Sequence, residues 1–403
     1  MELSHYTNII KVNNRNFLFN SLYGTLDEIN QDFLKSIYDK TLIKNEKDNM
    51  LERKYFDYED QFITYKNMAK KYYEDNKIGY RFYIIYSLKC NLKCTYCFQN
   101  REDYDKQLDI YQLDNILDFI LEKISKEHLD DNEIILYGGE PLLEQNYNLI
   151  EKTLKFASEN DLNIRIITNG VNIEKFLELI INYKNIINDI IITVDGNKKT
   201  HNKTRIFYNN LGTYDIIEKN IKILKDKKIN YTIRANLNYE MFENILNNCE
   251  LSDIMLNSKK SYYRVHFDDY NNNLPFKNII ELYLKNKVEF NELSINQVKS
   301  FISLIETENI YPIFRYCNRE KINVFYPNGK SIYNCTELYT EDKDITKSKY
   351  HFKYNLVCKE CKLLPICGGG CPSENKNDFK KYTECMIYND LLDMVKYYIE
   401  YVY

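Results

Sequence analysis

Strand-like and helix-like segments alternate along the chain between about residue 80 and residue 270. Repeated units of this kind imply parallel strands joined by right-handed crossovers. The six strand-like segments are Phe82–Ser87, Glu133–Tyr137, Asn163–Thr168, Asp189–Val194, Asn230–Leu237 and Ser261–Phe267. The helix-like segments between them are Leu113–Ile124, Leu143–Ser158, Ile173–Tyr183, Asp215–Lys225 and Met241–Asn248. The pattern predicts an α/β fold whose chemistry lies at the carboxyl ends of the strands.

Eleven cysteines fall in two groups, three at 90–97 and seven at 317–385, with Cys249 alone between them. Residues 1–8 have neither the basic nor the apolar region of a signal peptide, and no apolar run approaches the ~20 residues of a membrane span. We therefore expect a cytoplasmic protein without a membrane partner, in which clustered cysteines indicate metal binding or catalysis rather than disulfides. A net charge of −4 over 403 residues makes no general case for a nucleic-acid partner.

The first three cysteines, Cys90, Cys94 and Cys97, follow the first predicted strand with the spacing C-x3-C-x2-C. Cysteine thiolates are the usual ligands of iron–sulfur clusters, and a cluster that only stores electrons normally has four. Three thiolates can hold three irons of a [4Fe–4S] cluster, which leaves the fourth iron for a small molecule. The alternatives are a zinc knuckle or three unrelated core cysteines.

The next three predicted strands each end in a short polar or glycine-containing motif. These are Tyr-Gly-Gly-Glu-Pro at 137–141, Thr-Asn-Gly at 168–170 and Thr-Val-Asp-Gly at 193–196. Glycines let a ligand approach the backbone closely, and Glu140 can accept hydrogen bonds from an ammonium group or brace its loop. Each motif alone is typical of a turn. Together, however, the three motifs end the three successive predicted strands that come after the cysteine loop.

The cysteine spacing, an aromatic residue (Tyr96) before the last cysteine and these strand-end motifs resemble the radical S-adenosylmethionine (SAM) enzymes. The resemblance implies a partial (β/α)6 barrel and a [4Fe–4S] cluster on Cys90, Cys94 and Cys97. It further implies that SAM chelates the open iron and is cleaved by one electron to a 5′-deoxyadenosyl radical.

The same resemblance implies a set of SAM contacts. Tyr96 would lie beside the adenine, the Gly138-Gly139-Glu140 motif would bind the methionine amino group, and Asn169 would lie near the ribose and substrate cavity. Asp195, followed by His201 and Arg205, resembles an S-x-D-G…H-x3-R stretch of relatives with an auxiliary-cluster domain. Thr213 and Arg234 resemble positions that contact the ribose hydroxyls and methionine carboxylate, with a helix cap and a surface charge as the alternatives.

The C-terminal cysteines follow the pattern C-x17-C, then C-x2-C-x5-C-x3-C, then a last cysteine after thirteen residues. This resembles the SPASM domain, which binds two auxiliary [4Fe–4S] clusters. The implied ligands are Cys317, Cys335 and Cys371 for the first and Cys358, Cys361, Cys367 and Cys385 for the second. The first set has three cysteines, so Glu320 or a substrate group could complete it. Structural zinc is the alternative, since C-x2-C pairs also form Zn–S4 sites.

These patterns divide the chain into four segments. Residues 1–78 form a small α+β module with a hairpin, either a packing extension or a peptide-recognition element. Residues 79–271 form the partial barrel, 272–312 a helical bridge, and 313–403 the auxiliary-cluster domain.

The resemblance implies a peptide maturase that abstracts hydrogen from a ribosomally made precursor peptide and forms a thioether or other crosslink. Ferredoxin or flavodoxin would supply the electron. One alternative is an anaerobic sulfatase-type formylglycine maturase, although Thr336 stands where those enzymes have an Asp base. The other is a non-enzymatic iron–sulfur electron-transfer protein. The sequence nominates no catalytic base, because Tyr, Asp and Glu are too numerous.

Overall fold

The computed structural model describes residues 2–75, 79–97, 105–127, 129, 131–237, 261–265, 301–306, 321–329, 356–369 and 380–403. The predicted helix at 241–248, most of the helical bridge, and the candidate residues Cys317, Glu320, Cys335, Thr336 and Cys371 lie outside these ranges. Within them, no helix is both long and apolar enough to cross a bilayer.

The N-terminal residues form a three-stranded antiparallel sheet in chain order, which contains the predicted hairpin. Its strands are β1 (Thr7–Val12), β2 (Arg15–Asn20) and β3 (Leu26–Ile29). Only Asn13 and Asn14 separate the paired residues Val12 and Arg15, and both have positive φ, 48° and 62°. A two-residue hairpin turn with two positive φ values favours asparagine and glycine. Three helices follow, α1 (Gln31–Tyr38), α2 (Lys44–Glu52) and α3 (Gln61–Asp75).

The central sheet contains all six predicted strands as neighbours in chain order, each pair parallel. The strands are β4 (Arg81–Ile85), β5 (Glu133–Tyr137), β6 (Asn163–Thr168), β7 (Ile187–Thr193), β8 (Tyr231–Leu237) and β9 (Ser261–Val265). This arrangement confirms the α/β class. Among the described residues the sheet is open, since its two edge strands do not pair with each other.

A seventh strand, β10 (Ile322–Phe325), pairs parallel with β4 on the side away from β5. The sequence does not indicate this strand, because a four-residue apolar run is too short to show a strand period. Val324 and Phe325 are buried in the sheet. A strand from the segment predicted as the auxiliary-cluster domain is therefore part of the central sheet.

Helices connect the strands and bury their apolar faces on the sheet. They are α4 (Ile110–Lys126), α5 (Tyr147–Glu159), α6 (Leu177–Asn182), α7 (Lys198–Thr204) and α8 (Tyr214–Asp226), with short 3-10 turns at Glu144–Asn146 and Ile173–Phe176. In α4 the buried residues Leu113, Ile116, Leu117 and Ile120 follow the i, i+3, i+4, i+7 spacing of one helix face. The helix begins at a capping box, in which Asp109 and Gln112 each accept the other's backbone N–H.

The C-terminal residues form α9 (Leu356–Glu360), α10 (Leu364–Cys367), a 3-10 turn at Tyr382–Glu384 and α11 (Met386–Val402). The long helix α11 packs against the N-terminal sheet through aromatic contacts. Phe301 bridges the two, with ring centroids 5.8 Å from Phe19 and 5.4 Å from Tyr398. The two ends of the chain therefore share one hydrophobic core.

Candidate metal and cofactor site

The first cysteine loop leaves the carboxyl end of β4 and is clamped by the chain that follows α7. The backbone N–H of Lys93 donates to the carbonyl of Ile206 at 2.9 Å, and that of Thr95 donates to Thr204 at 3.0 Å. These two bonds join the loop to the last residue of α7 and to the chain just after it. The thiols of the loop are therefore held at the carboxyl end of the parallel strands, where the sequence predicts the chemistry.

Cys90 receives two N–H donors and is mostly buried, whereas Cys97 is exposed. The backbone N–H of Leu92 lies 3.4 Å from the Cys90 sulfur, and the side-chain amide of Asn169 lies 3.6 Å from it. That amide also donates to Asn91 at 2.7 Å. Burial raises the pKa of Cys90 to about 12. A thiolate at this position therefore needs a cation beside it, which is the chemistry of a metal ligand.

Gly138 and Gly139 press against the segment that leads into the cysteine loop. A Cβ on Gly139 would lie 2.2 Å from the carbonyl oxygen of Lys89. Gly138 has φ +127°, where a side chain would be strained, and its Cβ would lie 2.8 Å from the carbonyl oxygen of Ser87. A residue with a side chain would therefore collide with this segment at either position, so both positions require glycine. Their contact with the methionine amino group stays a prediction.

Glu140 is buried, and its carboxylate accepts hydrogen bonds from its own loop and from the end of the neighbouring strand β6. Its Oε1 accepts from the Thr168 hydroxyl at 2.7 Å and the Leu142 N–H at 2.9 Å, and its Oε2 accepts from the Asn169 N–H at 2.7 Å. Burial raises the pKa of Glu140, and these hydrogen bonds oppose that shift by favouring the carboxylate. Of the two uses predicted for Glu140, the structure shows the bracing of the loop.

The Tyr96 hydroxyl lies between two buried charged groups. It donates to Asp195 Oδ2 and accepts from Arg205 Nη1 at 2.7 Å. Asn236 completes the network, because its backbone N–H donates to Asp195 Oδ1 at 2.8 Å and its side-chain amide donates to Tyr96 at 3.3 Å. Through the Tyr96 hydroxyl, the network fixes the position of the cysteine loop. The predicted position of the Tyr96 ring beside the adenine is not tested by these contacts.

His201 is a neutral structural residue that supports this network. Its Nδ1 accepts the backbone N–H of Asp195 at 3.1 Å, and its Nε2 lies 2.9 Å from the Thr213 hydroxyl, which itself donates to the Arg205 carbonyl. The only consistent assignment places the imidazole proton on Nε2. Burial, and secondarily Arg205, lowers the pKa of His201 to about 2. These partners use the proton and one lone pair of the Thr213 hydroxyl, and its ribose contact stays a prediction.

Arg234 extends from β8 toward the end of β7, where its Nη2 donates to the Thr193 hydroxyl at 2.9 Å. Its buried Nε makes no hydrogen bond within the described part of the chain. A buried donor without a partner is costly, so an anionic group here would be favoured. The predicted contact with the methionine carboxylate agrees with this geometry but is not tested by it.

The sequence analysis did not nominate Asn236 and Asn91, although both touch the candidate site. Asn236 stands two residues after Arg234, so the two side chains lie on the same face of β8. That spacing was a usable signal. The sequence contains no such signal for Asn91, because its side chain accepts a hydrogen bond from Asn169, which follows a different strand.

Four of the C-terminal cysteines line one cavity: Cys358, Cys361, Cys367 and Cys385, together with Tyr382 and Tyr388. Each thiol is only 8–9% exposed. Burial raises the pKa of Cys358 and of Cys361 to about 12. The helix α10 ends at Gly368 in the left-handed conformation, with φ 65°, which turns the chain back around the cavity. The structure therefore brings together the four residues predicted as one ligand set.

No group of three or more His, Cys, Asp or Glu side chains in the described ranges is arranged to hold a single metal ion. In a four-iron cluster each thiolate binds a different iron, so the four sulfurs stand farther apart than around one zinc ion. Both a four-iron cluster and a tetrahedral zinc ion take four thiolates, so the cavity supplies the number of ligands that either would need.

Residues 84–249 match the model of the radical SAM superfamily. The match spans the first cysteine loop and the three strand-end motifs described above.

A radical SAM cyclopropyl synthase from Paramaledivibacter caminithermalis is 28% identical over 285 residues, which are 60% of this chain and 57% of that protein. A cysteine-type anaerobic sulfatase-maturating enzyme from Clostridium novyi is 25% identical over 347 residues, 75% of this chain and 90% of that protein. The chain thus spans little more than half the length of the first relative and most of the second.

The structure of Streptococcus suis SuiB bound to S-adenosylmethionine is similar over 94% of this chain and 97% of that chain, with a TM-score of 0.53 and 16% identity. SuiB has also been solved bound to the precursor peptide SuiA, and that structure has a TM-score of 0.50. At these identities the likeness concerns the fold.

Proposed function

Because this chain is a radical SAM enzyme, we propose that it matures a ribosomally made precursor peptide by forming a thioether or another crosslink. The observation that carries the proposal is the pair of cysteine sites, an open loop of three at the strand ends and a closed cavity of four. When bound, the SAM cluster would supply the electron that converts SAM to a 5′-deoxyadenosyl radical, which abstracts hydrogen from the peptide.

Radical SAM enzymes use a [4Fe–4S] cluster and SAM, and the first site fits this group. Cys90, Cys94 and Cys97 would hold the cluster, and the close backbone contact of Gly138 and Gly139 holds the loop in place. Tyr96, Asn169, Asp195, Thr213, Arg234 and Glu140 remain the proposed SAM-site residues. The Asp195–Tyr96–Arg205 network would keep the loop in one position whether or not SAM is bound.

Two auxiliary [4Fe–4S] clusters form the second part of the proposal. The four-cysteine cavity would hold one of them through Cys358, Cys361, Cys367 and Cys385. The other would rest on Cys317, Cys335 and Cys371, with Glu320 or a substrate group as the fourth ligand. The division into segments 1–78, 79–271, 272–312 and 313–403 belongs to the same proposal.

The partners proposed are a precursor peptide and an electron donor such as ferredoxin or flavodoxin, in the cytoplasm. The N-terminal module supports a peptide-binding role, because it exposes large apolar side chains: Tyr58 is 82% exposed, Tyr38 66% and Ile43 64%. Exposed apolar groups of this size often mark interaction surfaces when they lie together. The structure of SuiB with a precursor peptide supports the same partner class.

A formylglycine maturase is the second candidate, favoured by the similarity to the Clostridium novyi enzyme over 90% of its length. Thr336, in the position of the Asp base of such enzymes, is the observation against it. The match to the radical SAM superfamily, whose members are enzymes, argues against a purely electron-transferring protein.

The test is anaerobic reconstitution, followed by iron and sulfide analysis, dithionite reduction and mass spectrometry of SAM products. We expect about twelve irons per chain, four for each of three clusters, together with formation of 5′-deoxyadenosine. A crosslinked peptide loses hydrogen and keeps its sulfur, whereas formylglycine formation from cysteine replaces sulfur by oxygen. About four irons with bound zinc would contradict the auxiliary clusters, and iron without SAM cleavage would contradict the proposed reaction.

A further inference from the structure

The first cysteine loop and the chain after α7 form one continuous surface. Residues 93–95 run alongside residues 204–206 through backbone hydrogen bonds of 2.9 and 3.0 Å, and Leu92 forms a bridge with Phe207. The chain then makes a tight turn, in which the Phe207 N–H donates to the Leu211 carbonyl at 2.9 Å. The exposed side chains of this turn therefore stand next to the loop that carries the first three cysteines.

Three lysines make this surface positive. Lys93 lies on the loop, whereas Lys199 and Lys203 lie four residues apart on α7 and share one face of that helix. Lys203 directly precedes Thr204, whose carbonyl is bonded to the loop. All three lysines are exposed and none forms an ion pair with another described residue, whereas the neighbouring Lys198 is paired with an aspartate. On a chain with a net charge of −4, such a positive patch favours a negatively charged partner.

Two large apolar side chains of the turn are exposed beside these lysines. Leu211 is 62% exposed and Tyr208 is 58% exposed. Exposed apolar groups rimmed by charged residues mark interaction sites. In protein complexes, complementary charges speed the encounter and apolar contacts add affinity. The surface therefore suits a protein partner rather than a small ion.

This surface adjoins the most accessible cysteine of the loop. Cys97 is exposed, whereas Cys90 and Cys94 are less accessible. A cluster held by these three cysteines would therefore come nearest to solvent at Cys97, two residues after the bonded Thr95. The cysteines of the four-cysteine cavity are all buried, so a carrier at the protein surface has closer access to the first site.

We propose that the docking patch, formed by Lys93, Lys199, Lys203, Tyr208 and Leu211, binds a small acidic electron-transfer protein that reduces the first cluster directly. The inference rests on the proposed function and names the surface that its electron donor uses. In this step the carrier loses one electron and the cluster gains it, and no covalent bond forms or breaks. The electron does not pass through the four-cysteine cavity.

The test uses the reconstituted full chain and an acidic flavodoxin. The oxidised flavodoxin is titrated to measure equilibrium binding, and the reduced flavodoxin is used to drive SAM cleavage. In the double variant Lys199→Glu/Lys203→Glu we expect binding to weaken by about tenfold at low salt, because like charges now face each other. Flavodoxin-driven formation of 5′-deoxyadenosine should slow by a similar factor, whereas dithionite-driven cleavage, which needs no docking, should be unchanged. Lys93 is left in place because its backbone helps to position the loop.

Two further measurements separate the charged and apolar parts of the patch. Binding to the wild-type protein should weaken as the salt concentration rises, since the Debye length falls from about 10 Å at 0.1 M to about 3 Å at 1 M. Tyr208→Ser/Leu211→Ser should weaken binding at every salt concentration and leave the salt dependence as it is in the wild type.

Lys222→Glu/Lys225→Glu is the matched control. These two lysines are also exposed and form no ion pair with a described residue, and the variant changes the net charge by the same amount. They lie in the second half of α8, which returns to the amino end of β8, at the opposite edge of the sheet from the cysteine loop. Flavodoxin binding should therefore stay close to that of the wild type.

Weaker binding confined to the patch variants, together with salt-sensitive binding of the wild type, supports the inference. Absent binding, or equal binding by the patch and control variants, overturns it. A Cys367→Ala protein that responds to dithionite but not to flavodoxin also overturns it, because the electron would then enter through the four-cysteine cavity. Patch variants that bind flavodoxin normally but modify the peptide poorly with dithionite overturn it in favour of the peptide as occupant. A wild-type protein that binds flavodoxin through the patch but does not cleave SAM with dithionite contradicts the proposed function and not the docking patch.

Discussion

The two described cysteine sites differ in almost every physical respect. The three thiols of the first site lie within eight residues, on a loop whose last cysteine is exposed and whose surroundings are charged and polar. The four thiols of the second come from two stretches of chain, three from 358–367 and one from Cys385. All four cysteines are buried, and the other side chains that line their cavity are leucines and tyrosines. An open, polar site can admit a charged small molecule, whereas a closed apolar site with a full set of thiols favours electron transfer or structural support.

The largest effect that separates the two sites is expected from Cys94→Ala. Because a three-thiol site has no spare ligand, this variant should lose about four irons and all measurable SAM cleavage. Iron in the four-cysteine cavity should be retained, since none of the described residues that line the cavity belongs to the loop. Iron analysis and detection of 5′-deoxyadenosine by mass spectrometry provide the check. Loss of all iron would show that the two sites assemble together and would contradict the view that they are independent.

The opposite outcome is expected from Cys367→Ala in the second site. Cys367 is buried within the cavity, so about four irons should again be lost, but dithionite-driven SAM cleavage should persist at the first site. Modification of the peptide should fall more than SAM cleavage does. Equal loss of both activities would contradict an auxiliary role for this cavity.

Glu140→Gln tests the polar character of the first site. Glutamine cannot accept at both positions of this carboxylate, whose Oε1 takes the Thr168 O–H and the Leu142 N–H and whose Oε2 takes the Asn169 N–H. We expect a loss of about 1.5–3 kcal/mol in the free energy of unfolding, measured by urea denaturation. Glu144→Gln is the control, because Glu144 is exposed and pairs with the exposed Lys175, where about 0–1 kcal/mol is expected. Equal losses of unfolding free energy in the two variants would show that the Glu140 carboxylate does not stabilise its loop.

Tyr96→Phe removes the hydroxyl that joins Asp195 and Arg205. The loop should become less well positioned, and SAM binding should weaken by about tenfold, roughly 1.4 kcal/mol. Equilibrium binding measured anaerobically on the reconstituted protein provides the check, with the exposed Tyr111→Phe as control. An unchanged affinity for SAM would mean that the backbone hydrogen bonds of Lys93 and Thr95 are sufficient to position the loop.

The smallest effect concerns pH. The pKa of His201 is lowered to about 2 in the folded protein, against 6.5 for the unfolded chain. The unfolded state therefore takes up this proton first, so the stability is complete above pH 6.5 and is lost progressively as pH falls toward 2. About 1 kcal/mol should be lost at pH 6. His201→Gln, which can both accept and donate, should remove that part of the pH dependence, and unfolding titrations at pH 6 and 7.5 would show whether it does.

What the sequence could predict was local. The strands, the N-terminal hairpin and the positions of both cysteine groups follow from hydrophobic period, turn residues and spacing within short stretches. What escaped were relations between distant stretches, such as the approach of Asn169 to Cys90 or of Asn236 to Tyr96. The strand β10 escaped because four residues carry too little pattern, and its partner lies far away in sequence. Spacing indicates which residue types are present, whereas the topology decides which of them meet.

The pairing of β10 with β4 has a consequence for synthesis of the chain. Arg81 and Ile322 are register partners, so β4 gains its second neighbour some 240 residues after it leaves the ribosome. Until then β4, which carries the first cysteine loop, stands at an open edge, and open edges invite pairing with other chains. Release of a shortened chain that ends before residue 322 would leave that edge permanently uncovered.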